Sequence, residues 1–456
     1  MSEKAVSENK MGTAPIKSLV LSMSLPMMIS MLVQSLYNVV DSVFVSRISA
    51  DGAPMTAISL AFPIQSLMIA LNAGMGVGMN AVLSRSLGEK DPAKASKAAM
   101  NGIFLAFVNA AIFLLIGLFL VRPFYRIQTE DETVIEYGVQ YLSIICCLSI
   151  GVSLQMTMER ILQSTGKTVY SMITQAMGAI INLILDPIMI FGLFGFPALG
   201  MRGAAIATIF GQLAASALAL FFNLKVNKEL TFSFKGLIPD IRLIGRIYVV
   251  GLPSIIMQSI GSVMVYGINK ILYGFSQDAV TVFGVYFKVQ SFIFMPIFGL
   301  NNGMIPIIAY NLGAGRGKRV KETIRFCLII AECIMAVGVL IFQFCPGLLL
   351  NMFNASENML IIGEPAFRII SVHFLMAGIC IICSSSFQAL GNGIYSMIIS
   401  ILRQLVVLLP AAYLLSLAGR LEIVWWAFPI AESAALLISV ACMMRINKKV
   451  ISKISG

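Results

Sequence analysis

The sequence predicts an all-α integral membrane protein, with twelve transmembrane helices in two parallel six-helix repeats. Three observations predict it. First, 58% of the 456 residues are hydrophobic and only 12% are charged, about half the share in a soluble domain. Second, twelve apolar stretches fall near 16–46, 54–84, 93–121, 133–162, 169–195, 202–226, 241–273, 278–312, 318–345, 359–388, 395–418 and 422–447, each long enough to span a bilayer. Third, blocks of sequence recur. Gln163–Gly166 and Tyr170–Ile173 return 225 positions later as Gln388–Gly391 and Tyr395–Ile398. The same offset carries Gly74 and Gly78 to Gly299 and Gly303, and Leu87–Gly88 to Leu312–Gly313. Leu25–Pro26 returns as Leu252–Pro253 at a slightly different spacing.

The second copy begins after six spans, so both copies share one orientation, and such repeats place substrate sites between them near the midplane. The expected organisation is an N-lobe over 1–224 with helices 1–6, a basic cytoplasmic linker over 225–246, and a C-lobe over 247–456 with helices 7–12. The connections are too short for a soluble domain. The polar leader MSEKAVSENK precedes the first span without a cleavage signal, so no removable signal peptide is expected.

The net charge of +11 is topogenic, which excludes a nucleic-acid role. With the N-terminus inside, 23 Lys and Arg residues fall on inner segments, Arg160 and Lys167 among them. The outer loops hold 5: Arg47, Arg122, Arg126, Arg202 and Arg420. The positive-inside rule then puts both termini in the cytoplasm.

Within the first span, Gln34, Tyr37, Asn38 and Asp41 fall at i, i+3, i+4 and i+7, one polar stripe on a helix. A carboxylate at the helix centre costs roughly 2.5 kcal/mol or more, so the stripe must face protein or water. In the fifth span, Asn182 and Asp186 sit four apart on one face, with Pro187 next. Two buried carboxyls on two spans suit the binding of a proton, a sodium ion or a cationic guest. A helix–helix hydrogen-bond cluster is the structural alternative.

The second half is charged differently. Lys288, Glu332, Arg403 and Glu432 lie in the eighth, ninth, eleventh and twelfth spans. Both signs are present, so a charge network paired in some combination is expected.

Other motifs carry less. Gly74, Gly76 and Gly78 spell GxGxG, but no strand precedes them, so close helix packing is expected instead of dinucleotide binding. Gly166–Thr168 ends like a phosphate loop, yet Ile161 stands where its first glycine belongs, which excludes ATP binding. The eight cysteines lie in or beside apolar spans and read as small hydrophobes, the Cys380–Cys383 pair included. The one histidine, His373, cannot make a zinc site by itself and reads as a packed core residue. Some of the 28 methionines and 29 phenylalanines would suit a cavity that re-packs around varied guests.

Taken together, these features resemble the multidrug and toxic compound extrusion (MATE) transporters. The resemblance rests on Pro26, Gln34, Tyr37, Asn38 and Asp41, on Gly74–Gly78, on SRSLGEKD at Ser84–Asp91, on Gln163–Gly166, on Asn182 with Asp186–Pro187, and on NLGAGR at Asn311–Arg316. It implies two six-helix lobes around a V-shaped cavity, and antiport of organic cations and other drugs against protons or sodium. It implies no enzyme activity and no cofactor beyond H+ or Na+ as coupling ion. By position, Asp41 resembles the family's first-helix coupling carboxylate, Asn182 and Asp186 its fifth-helix partners, and Thr208 its sixth-helix hydroxyl. A sodium site would use Asp41, Asn182 and Asp186. Gln34, Tyr37, Asn38, Thr208 and Gln258 are the expected polar residues of the cavity. Some branches carry a seventh-helix acid. Here that helix reads PSIIMQSIGSVMVYGINK and has none, which favours the bacterial branch coupled through the first lobe. The resemblance also implies a monomer in the inner (plasma) membrane, with small organic substrates and lipid as partners.

A lipid-linked precursor flippase of the same superfamily is the competing function. It would want several basic residues facing its cavity, and beyond Lys288 and Arg403 the spans offer little.

The charge asymmetry makes a topological prediction. A single cysteine at 275–279, in an otherwise cysteine-free variant, should react with an impermeant maleimide added from outside intact cells. Labelling only from the cytoplasmic side would overturn the orientation.

Overall fold

The computed structural model describes residues 9–49, 52–233, 237–353 and 355–454. Among these residues the regular structure is entirely helical. In chain order the spans are α1 (Ile16–Ser46), α2 (Ala53–Gly88), α3 (Pro92–Phe119), α4 (Glu132–Cys147 with Ile150–Ser164), α5 (Thr168–Phe191) and α6 (Met201–Val226). They continue as α7 (Ile241–Tyr273), α8 (Gln277–Gly313), α9 (Gly317–Phe344), α10 (Glu357–Ser371 with Phe374–Ala389), α11 (Gly393–Ser416) and α12 (Leu421–Ile454). Ten of them are single helices, and α4 and α10 are pairs bent by 46° and 48°.

The helix starts follow local chemistry. Asp91 caps α3 by accepting from the Lys94 N–H at 2.9 Å, with Pro92 in the first turn. Ser276 caps α8 through the Ala279 N–H at 3.1 Å. Proline does not end α5, which runs through Pro187 to Phe191. The two bends occur without proline and at repeat-equivalent places. At the first, the Ser149 hydroxyl donates to the Ala110 carbonyl at 3.4 Å. At the second, His373 Nδ1 contacts the Ile370 carbonyl three residues back. The His373 contact competes locally with the helical ladder, whereas the Ser149 bond ties the first bend to α3.

The chain divides into two compact units, one of residues 29–251 and one of residues 1–28 with 252–456. The division falls inside α1 and α7, not at the basic 225–246 segment. Each of these helices begins with one unit and ends with the other. Residues 241–246 are already helical, and Thr231 and Asp240 before them are held in place. In the 29–251 unit, Asn101 accepts from the Asp240 N–H at 2.8 Å and Ser96 from the Thr231 N–H at 2.9 Å. Lys97 Nζ lies 2.7 Å from Asp240 Oδ2, and this bond holds the Asp240 carboxyl below its usual range. The stabilisation it supplies is therefore present above the usual carboxylate range and fades as pH falls through the depressed value.

The other unit repeats the device with different residues. Asn9 caps the short helix Lys10–Thr13. Asn311 Nδ2 donates to the Met11 carbonyl at 3.0 Å, Arg316 Nη1 to Gly12 at 2.6 Å, and Arg319 Nη2 to Ala14 at 2.7 Å.

Two repeat-related glycines permit the helix crossings above these straps. A Cβ on Gly78 would stand 2.1 Å from the Ile247 carbonyl oxygen, and one on Gly303 would stand 2.4–2.8 Å from Ser24. The GxGxG motif thus serves close packing of α2 on α7. Gly78→Ala should lower unfolding stability by about 1–3 kcal/mol, the usual cost of overpacking. Gly245→Ala, where nothing lies within 4 Å, should be neutral. Thermal melts of both purified variants check this, and equal melting temperatures would contradict it.

Candidate functional site

Inside the 29–251 unit, α1, α5 and α6 bring the first-half candidates together. The stripe on α1 divides. Gln34 and Asn38 are exposed and bond each other at 3.4 Å. Tyr37 and Asp41 are half-buried and meet the other helices. The Asp41 carboxyl lies within hydrogen-bond reach of the Asp186 carboxyl, and the Tyr37 hydroxyl within reach of Thr208. Asn182 joins the two sides, its amide donating to Asp186 Oδ1 and to Thr208 Oγ1, each at 3.3 Å. Thr208 itself donates to the Ala204 carbonyl at 3.0 Å.

The close approach of α5 and α6 has a residue-level cause. A Cβ on Gly211 would stand 2.6 Å from the Gly178 carbonyl oxygen, so no larger residue lets Asn182 reach Thr208. Tyr141 of α4 closes the cluster, its hydroxyl accepting from Gln65 at 3.1 Å. That hydroxyl is within electrostatic reach of both aspartates.

Two carboxylates have no donor between them, so their contact requires a shared proton or a cation. Three oxygens here are buried without a protein partner: Asp41 Oδ1, Asp186 Oδ2 and Asn182 Oδ1. With the Thr208 hydroxyl they form an all-oxygen donor set, which fits a proton or a hard monovalent ion.

Sequence reasoning missed a further buried acid in this unit. Glu159 is 4% exposed. It accepts from Gln155 at 3.0 Å, Thr174 at 3.2 Å and Gln175 at 2.8 Å, and Ser30 donates to Gln175. Its neighbour Arg160, counted with the charges of the inner segment, is in the helix. Arg160 packs against Gly76 and donates to Gln163 at 3.0 Å. Gln155 and Glu159 stand at i and i+4, the spacing that could have revealed them.

The C-lobe residues do not form one network. Arg403 and Glu432 pair at 3.2 Å. Lys288 is exposed and stands 5.9 Å from the centre of the Phe353 ring. Glu332 Oε1 is buried beside Gly378 without a partner. Sequence position alone could not tell these charges apart. Gln258 is exposed in this unit. His373 packs against Phe374 and Phe428, and all eight cysteines are free thiols.

Comparisons with known proteins fall along both halves. The MatE family pattern matches residues 26–188 and 252–414, so it matches the repeat twice. A multidrug export protein MepA of Staphylococcus haemolyticus is 27% identical over 416 residues, covering 91% of this chain and 90% of that protein. A protein named FAD transporter from Shewanella oneidensis is 26% identical over 433 residues, covering 94% of each. A solved outward-facing multidrug resistance MATE transporter superposes with a TM-score of 0.91 at 24% identity, over 99% of this chain and 100% of that one. A Pyrococcus furiosus transporter of the same superfamily, described as having a binding pocket of reversed polarity, gives 0.89 at 24% identity over the whole of both chains.

The contact between the two aspartates predicts non-additivity. In a double-mutant cycle of Asp41→Asn and Asp186→Asn, thermal unfolding should show a coupling energy of about 0.5–3 kcal/mol. Strictly additive effects would mean that the carboxyls do not sense each other.

Proposed function

The chain belongs to the MatE family, and from that premise we propose that it is a secondary active antiporter, exporting cationic or amphipathic small molecules in exchange for protons or sodium ions. Membership makes it a multi-pass membrane transporter and not an enzyme. The observation that carries the proposal is the contact of Asp41 with Asp186, bridged by Asn182 to Thr208.

Ionised together at membrane depth, these carboxyls need a positive charge, because an uncompensated one costs several kcal/mol there. A proton or sodium ion supplies it in one state of the cycle. A cationic cargo competes for the same charge in the other. A ligand shifts a two-state equilibrium only by its differential affinity for the states. Occupancy of Asp41 would supply that difference, with Asp186 and Asn182 tuning it from α5 and Tyr37 and Thr208 holding the neutral donors. Relatives named for multidrug export and for FAD transport support an organic, amphipathic cargo class. The proposed setting is a monomer in the plasma membrane with both termini cytoplasmic.

Lipid-linked precursor flipping is the weaker reading. Of the two basic residues it would draw on, Lys288 stands over the Phe353 ring, which leaves Arg403 as a single partner for a head group of several charges.

Ethidium efflux from proteoliposomes, under separately imposed pH and sodium gradients, tests the proposal and identifies the coupling ion. Asp41→Asn keeps the size but fixes the neutral form. It should fold and lose gradient-driven efflux, whereas Asp186→Asn should impair efflux unevenly across substrates. Near wild-type pumping by Asp41→Asn, with protein amounts matched, would make the cluster structural.

A further inference from the structure

Arg403 sits near the middle of α11, about 15 Å along the helix axis from Gly393. Its pairing with Glu432 is one-sided. Both carboxylate oxygens accept from the same nitrogen, Nη1, at 3.2 Å each. This is longer than the roughly 2.7–2.9 Å of a strong charge-assisted bond, and it is not the two-pronged arrangement guanidinium favours. Nη2 and Nε find no acceptor among the described residues. The Arg403 side chain is 28% exposed while that of Glu432 is 6% exposed.

At this depth the unspent N–H groups cannot face acyl chains without a large cost. A side chain of which 28% stays exposed at this depth therefore needs water or a ligand beside it. A partly spent guanidinium beside water is a receptor for an anion.

Two further observations separate this place from ordinary scaffold. Arg403 lies in a π-helical segment, Leu402–Leu408, a rare geometry that concentrates at functional sites. The repeat-equivalent stretch of α5 is regular α-helix, with Gly178 at the position of Arg403. The shared fold of the two halves thus requires neither the arginine nor the widened turn. On the far side, the Tyr286 hydroxyl is fully buried, has no partner, and lies within electrostatic reach of Glu432. It offers Glu432 a second donor. The His373 ring and the Cys380 thiol are also within reach of that carboxylate.

We propose that Arg403 is an anion subsite that holds a carboxylate or phosphate of the transported molecule, with Glu432 as the internal counter-ion the anion displaces. This rests on the transport reading above, but it is tested without a gradient.

The full-length protein in nanodiscs is titrated with carboxyfluorescein and, separately, with ethidium, both read by fluorescence anisotropy. Glu432→Gln removes the competing counter-ion and should tighten carboxyfluorescein binding about tenfold, equivalent to about 1.4 kcal/mol. Arg403→Gln should abolish it, so that the ratio of carboxyfluorescein to ethidium affinity falls. The neutral pair Arg403→Gln/Glu432→Gln, which leaves no buried charge unmatched, should fold and behave like Arg403→Gln. A purely structural ion pair predicts instead that carboxyfluorescein binding weakens in Glu432→Gln, or that both dyes weaken in parallel, and either result overturns the proposal. Loss of ethidium efflux in Asp41→Asn, or its persistence, bears on the antiport reading and leaves this result independent.

Discussion

A charge placed in a membrane span must be compensated by the protein, and the polar architecture of this chain follows from that constraint. Asp41, Asp186, Glu159 and Glu432 meet it in three ways, whereas Glu332 leaves its buried Oε1 without a partner. Asp41 and Asp186 lean on each other, an arrangement that works only with a proton or cation between them. Glu159 is surrounded by neutral donors, Gln155, Thr174 and Gln175. Glu432 takes a guanidinium. The first arrangement depends on an ion from solution, the second on fixed dipoles and the third on an internal cation. Under the antiport proposed above, only the first would oblige the protein to exchange an ion with its surroundings.

The scaffold around these sites is built by duplication with exchange. The segment before α7 is clasped by α3 residues in the 29–251 unit. The segment before α1 is clasped by α8 and α9 residues in the other. Gly78 and Gly303 then let each entering helix cross a partner at backbone distance. Asp41 lies on the part of α1 that belongs to the unit of Asp186. The carboxyl contact is thus made within a single unit, not across the division.

What was legible in the sequence was what depends on length and periodicity. Apolar runs gave the spans, the recurring blocks gave the repeat, and the spacing of Tyr37, Asp41, Asn182 and Asp186 marked faces that prove to meet. What depends on packing was hidden. The bends in α4 and α10 coincide with single side-chain contacts at Ser149 and His373, and no helix breaker announces them. Glu159 sits beside Arg160 and looked like the polar end of a span, because nothing local tells a solvated arginine from one packed on Gly76. Lys288, Glu332, Arg403 and Glu432 balance in sign, but sign does not fix distance, and only one pair forms.

The clasp on the N-terminal segment also sets a timetable for synthesis. Met11 waits for Asn311, a partner 300 residues later in the chain. At ribosomal rates of about 5–20 residues per second, that interval is about 15–60 s. For most of translation the start of the first helix has no seat, while the 29–251 unit can already assemble. Met11, Gly12 and Ala14 are therefore among the last residues to be placed. A ribosome that stalls before the eighth span leaves a chain whose amino-terminal strap is free for proteases or chaperones to find.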